Sequence, residues 1–85
     1  MKVEVLGQIK YISEPKEVKG EEDHKFVSVW LKTLEDSYIA VNAWDEHIEQ
    51  LKGLAVGSIV TFKCRIESHR NKKNPALFYH KILLT

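Results

Sequence analysis

Cysteine occurs once in the 85 residues, proline twice and glycine four times. The lone thiol, Cys64, can close no internal disulfide, and its phase along an alternating stretch makes it a core thiol rather than a reactive one. With His24, His47, His69 and His80 in four different stretches and no second cysteine, zinc-ligand spacing is missing, and no metal or other cofactor is expected. The glycines are not grouped into a phosphate-cradling loop, and no nucleophile motif is present. Asp45-Glu46 is better explained by helix capping and the helix dipole than by acid-base catalysis, so an enzyme is not expected. Also lacking is any apolar run near the about 20 residues that span a bilayer. Met1–Ile12 mixes lysine and glutamate among its first apolar residues and lacks a small-residue cleavage site, so a cytoplasmic, non-membrane protein is expected.

What is present is a composition ordinary for a folded protein, 44% hydrophobic and 29% charged, in a chain short enough to make a single domain, residues 1–85. The net charge of +1 conceals an asymmetry. Residues 1–62 hold seven Lys and Arg against eleven Asp and Glu, a net −4, whereas residues 63–85 hold six against one, a net +5. Positive charge is therefore concentrated late.

The periodicity organises the chain around Tyr38–Ile66. Ile39, Val41 and Ala43 alternate with Tyr38, Ala40, Asn42 and Trp44, a half-buried strand with aromatics left on its outer side. At Asp45 the period becomes helical: Asp45 is placed to cap, Ile48 and Leu51 share a face, and Gly53 stands where a left-handed C-terminal residue is wanted. After a turn at Val56-Gly57-Ser58, residues Val60, Phe62, Cys64 and Ile66 form the inner phase of another strand. Upstream, Lys2–Ile12 is a strand with Val3, Val5, Ile9 and Tyr11 inward. Gly7 in that phase lets the strand bend sharply and join two sheets. Ser13–Lys25, with Pro15, Gly20 and eight charged residues, is expected to be a loop. Phe26–Thr33 is a strand that turns Val27, Val29 and Leu31 inward and Trp30 outward, and Leu34–Ser37 joins it as a hairpin to Tyr38–Trp44. A basic, turn-rich loop, Ser68–Ala76, leads to a closing strand, Leu77–Leu84.

Five strands with a short helix between the third and fourth is the element order of the all-β OB-fold barrel. Val5-Leu6-Gly7-Gln8-Ile9 followed by Glu14-Pro15 resembles the opening of the bacterial single-stranded DNA-binding proteins. Ala43-Trp44-Asp45, the Ile48 and Leu51 helix, Gly57-Ser58 and the Val60–Ile66 alternation resemble that family's later elements. In the C-terminal third, Val56-Gly57-Ser58, Ile66-Glu67-Ser68-His69 and Arg70-Asn71-Lys72-Lys73-Asn74 resemble the primosomal replication protein N family. The resemblance covers nearly the whole chain. It implies a dimer that binds single strands with stacking aromatics, which fall on Tyr38 and Trp44, and with a basic loop. Trp30 lies outside the matched aromatics, and the acidic-tipped tail by which replicative members recruit partners has no counterpart before Thr85.

Independently of the family, aromatics on a sheet bind bases without reading them, because every base has a π-face. The expected interface is Trp30, Tyr38, Asn42 and Trp44, with Lys10 and Lys32 on the strands and Arg70, Lys72 and Lys73 on the loop meeting phosphates. The expected function is binding of single-stranded DNA, with RNA left open, without strong sequence preference, in replication, repair or recombination. The expected partners are a second copy and proteins of those processes. The competing reading is an OB-fold whose aromatic face or strand edge anchors a protein.

Overall fold

Alternation of apolar and polar residues sets out most of the strands in the computed structural model, which describes residues Met1–Thr85. They are β1 (Lys2–Ile12), β2 (Lys16–Val18), β3 (His24–Thr33), β4 (Tyr38–Trp44), β5 (Ile59–Arg70) and β6 (Phe78–Leu84), with a 3-10 helix at Asp45–Leu51 between β4 and β5. β1 pairs antiparallel with β5 through Lys2–Gln8 and with β3 through Gly7–Ile12. β3 pairs with β4, β5 pairs with β6, and β4 meets β6 in parallel at Asn42 and Leu83. The circuit β1–β5–β6–β4–β3–β1 therefore closes on itself, an all-β, barrel-like sheet.

Closure turns on Gly7, which opposes Thr33 of β3 and Val60 of β5 at once. A Cβ there would stand 2.8 Å from the Lys32 carbonyl oxygen, closer than side chains sit to backbone, so only glycine permits β1 to serve both neighbours. Inside the closed sheet, Val5, Ile9, Val27, Val29, Leu31, Val41, Ala43, Phe62, Cys64 and Leu84 form the core, and Leu51 of the 3-10 helix joins it. The inward phases of β3, β4 and β5 are those of the sequence pattern. Burial pushes the Cys64 thiol pKa up, as fits a core thiol. No helix is long and apolar enough to cross a membrane.

Four expectations need correction. Ser13–Lys25 is not all loop: Lys16–Val18 forms β2 against Phe26, Lys25 and His24 of β3. Tyr11 is not inward, because a bulge between Ile9 and Tyr11 reverses the phase of β1 and leaves Tyr11 55% exposed, while Ile12 packs on the core. The helix is 3-10, and Asp45 does not cap it. Asp45 has φ +49°, and its carboxylate turns back to β3, accepting from the Lys25 backbone N–H at 3.1 Å and meeting His24 Nδ1 at 2.9 Å. Trp44 takes the cap position with no side-chain hydrogen bond, so the first turn stays uncapped. Lastly, β5 runs on to Arg70, which shortens the basic loop to residues 71–77. Gly53 does take the left-handed conformation expected of it, at φ +80°.

Candidate nucleic-acid interface

Residues opposite one another in an antiparallel pair share a face, so the β3–β4 register determines what the outer surface can do. Phe26 opposes Trp44, Ser28 opposes Asn42, Trp30 opposes Ala40 and Lys32 opposes Tyr38. Ala40 leaves room beside Trp30, whose ring approaches the diagonal Tyr38 with centroids 6.3 Å apart and planes tilted by 54°. Both rings are open to solvent, Trp30 at 46% and Tyr38 at 56%.

The other candidates on this face are less free. Trp44 is half-buried at the corner where β4 enters the 3-10 helix and stacks on Phe26, centroids 4.7 Å apart and planes within 29°. Asn42 Oδ1 accepts a 2.7 Å hydrogen bond from Ser28 Oγ, which orients the amide and leaves its Nδ2 outside that bond. Lys32 Nζ lies 2.9 Å from Asp36 Oδ1, and this hydrogen bond and charge hold its pKa above the ordinary lysine value. Lys32 stays protonated, but a phosphate must compete with Asp36 for it. Lys10 is exposed and belongs to none of the lysine or arginine ion pairs.

Arg70, Lys72 and Lys73 lie on the β5–β6 hairpin, away from Trp30. The Arg70 guanidinium sits 5.1 Å from the centroid of the Phe78 ring, directly across the hairpin. Its loop is built rather than slack: Asn71 Oδ1 accepts from the N–H of Lys73 and of Asn74, and Asn74 Oδ1 accepts from that of Ala76. The two lysines project from this frame into solvent. Between the hairpin and the Trp44 corner lies an open cleft of about 360 Å³ whose lining includes Trp44, His24, Asp45, Arg65, His69 and Lys81. Donation from the Lys25 N–H, then the bond to His24, holds the Asp45 carboxyl pKa below the ordinary value. The cleft joins Trp44 to the basic arm but gathers no group of side chains suited to a metal.

The aromatics that sequence reasoning missed are Tyr11, Phe26, Phe78 and Tyr79. Tyr79 stacks on His69 at 5.4 Å and has Lys81 Nζ 5.8 Å from its ring centre, so aromatic and cationic groups interleave along the hairpin. The signal for Phe78 and Tyr79 was the basic loop itself, since a hairpin that long must place side chains on two solvent faces. Comparison with protein-family models, with curated proteins and with solved structures gives no match to this chain.

Proposed function

We propose that this chain is an OB-fold that binds single-stranded DNA without strong sequence preference, in replication, repair or recombination. The observation that carries the reading is Trp30 beside Tyr38, two exposed rings on the outer face of adjacent strands. A sheet has no folding reason to expose two neighbouring large aromatics, and each ring can stack a base for about 1–3 kcal/mol. The closed strand circuit supports the fold. If β2 is set aside as an addition, the remaining five strands follow the order of the OB barrel, whose central face and neighbouring hairpin loops take oligonucleotides. In that arrangement the β3–β4 face supplies stacking, and Lys10, Arg70, Lys72 and Lys73 supply charge to the phosphates.

The test is a tryptophan-fluorescence titration with oligo-dT at low salt. Stacking on Trp30 quenches its emission, and competition by duplex DNA is much weaker because paired bases hide their faces. The alternative, an OB-fold protein-interaction module, is favoured by the exposed aliphatics Leu6, Leu34 and Ile59, which line one open surface beside β1. Fluorescence unchanged by oligo-dT at low salt selects that alternative.

A further inference from the structure

We infer that Tyr11, with Lys10 beside it, is a third base-stacking station, so that the bound strand crosses β1 as well as β3 and β4. The inference rests on the single-strand reading of Trp30 and Tyr38 and extends their site onto a strand that reading does not use. Regular alternation after Val5, Gly7 and Ile9 would bury Tyr11. Instead Ile9 opposes Leu31 and Tyr11 opposes Trp30, so that Lys10 and Tyr11 are both set against the one tryptophan. Beyond the bulge the phase is locked: Ile12 opposes the buried Val29, the Ser13 N–H donates to the Ser28 carbonyl at 2.9 Å, and the Ser28 N–H donates to Ser13 Oγ at 2.9 Å. Tyr11 is thereby fixed on the outer face rather than free to swing inward.

The result is a row of exposed aromatics, Tyr11, Trp30 and Tyr38, one on each of three adjacent strands. Singly exposed apolar residues are ordinary on protein surfaces, but here Tyr11 opposes Trp30 in register and the Trp30 and Tyr38 rings approach each other, a grouping of the kind that marks binding surfaces. Bulges re-aim side chains in this way beside functional sites. The same extra residue puts the Lys10 cation, which belongs to no ion pair, at the edge of the row, where a phosphate between two stacked bases would lie.

The experiment measures the affinity of fluorescein-labelled oligo-dT by anisotropy at several salt concentrations for the parent and for Tyr11→Ala, Tyr11→Phe, Lys10→Ala, Trp30→Ala and Tyr38→Ala. Tyr11→Ala is expected to weaken binding by about fivefold to a hundredfold with an unchanged salt slope, whereas Tyr11→Phe, which keeps the ring, stays within about twofold. Lys10→Ala is expected to reduce the salt slope by about 0.7. Photo-cross-linking of an oligonucleotide carrying 5-iododeoxyuridine, mapped by mass spectrometry, is expected to give an adduct at Tyr11. If Trp30→Ala and Tyr38→Ala weaken binding but Tyr11→Ala does not, the third station is overturned and the β3–β4 site stands. If the parent does not bind, or none of the three aromatic substitutions matters, the single-strand reading fails and takes the third station with it. Should Tyr11→Ala not fold, the cross-link decides: adducts at Trp30 or Tyr38 with none at Tyr11 overturn the inference.

Discussion

Trp30 and Trp44 share a strand phase on neighbouring strands, yet their surroundings separate their roles. Trp30 faces solvent beside Ala40, and nothing in the core leans on it. Trp30→Ala should therefore leave the melting temperature unchanged while weakening oligo-dT binding by about 1–3 kcal/mol, with the salt slope intact because stacking releases few ions. Trp44 stacks on Phe26, and such a pair contributes about 0.5–1.5 kcal/mol beyond its buried area. Trp44→Ala should lower both the melting temperature and the affinity, and Trp44→Phe should restore most of the former. A Trp44→Ala protein as stable as the parent would show that the stack is idle. Asp45 gives a pH prediction. Its carboxylate accepts from Lys25 N–H and meets His24, so its folded pKa lies below the unfolded value. The stabilisation is present above the ordinary carboxylate range and is lost as pH falls through the folded pKa. Asp45→Asn keeps an acceptor for Lys25 and tolerates the left-handed φ of +49° but removes the charge, so the melting temperature at neutral pH should fall slightly while that below the folded pKa matches the parent, which makes the acid-side loss of stability smaller.

At the scale of elements, legibility followed burial. β3, β4 and β5 could be read from the sequence because one side of each is core, and alternation is what a half-buried strand writes into its residues. β2 could not: Lys16, Glu17 and Val18 are all exposed and held to β3 by backbone pairing and by the Lys25–Glu17 ion pair at 3.8 Å, which leave no apolar period. The bulge in β1 hid Tyr11 for a related reason. One inserted residue flips every later side chain, and nothing in Ile9-Lys10-Tyr11-Ile12 marks which residue is extra. The helix type was illegible because Asp45 has the chemistry of a cap and uses it on β3. Gly7 was legible, since a glycine in the inward phase of a strand marks a sharp bend or a close approach of backbone. Gly7→Ala should destabilise the domain by about 1–3 kcal/mol in denaturant titration, because its Cβ would meet the Lys32 carbonyl, which is backbone and cannot step aside. The β5–β6 hairpin carries an independent test. Lys72→Ala with Lys73→Ala should flatten the single-strand salt slope by about 1.4 while leaving the Trp30 quench at saturation intact. An unchanged slope would assign both lysines to solvent.

For the whole molecule the question is how many copies act together. On the proposed single-strand reading, a domain this small covers only a few nucleotides, within the roughly 4–16 typical of one OB-fold, so useful affinity asks for linked sites. In the structure β1 pairs with β5 through Lys2–Gln8 and with β3 through Gly7–Ile12, so Lys2–Leu6 have no strand partner on the β3 side and Ile9–Ile12 none on the β5 side. Beside Lys2–Leu6 lie Leu6 at 43%, Leu34 at 86% and Ile59 at 68% exposure, aliphatics that share one open surface with Gln8, Lys32 and Asp36. Proposed as the contact between two copies, this surface meets the nucleic-acid face at Lys32 but includes none of Tyr11, Trp30 and Tyr38. Sedimentation at about tens of micromolar should then give a species near twice the 9.9 kDa chain mass. Leu34→Glu with Ile59→Glu should shift it to monomer, since a desolvated carboxylate at each position opposes association. The monomer should still quench with short oligo-dT, because its stacking face is untouched, but should lose the advantage that long oligo-dT holds over short, because that advantage belongs to the linked pair. A parent that sediments as a monomer at these concentrations rejects the dimer and leaves the aliphatic surface to a different protein.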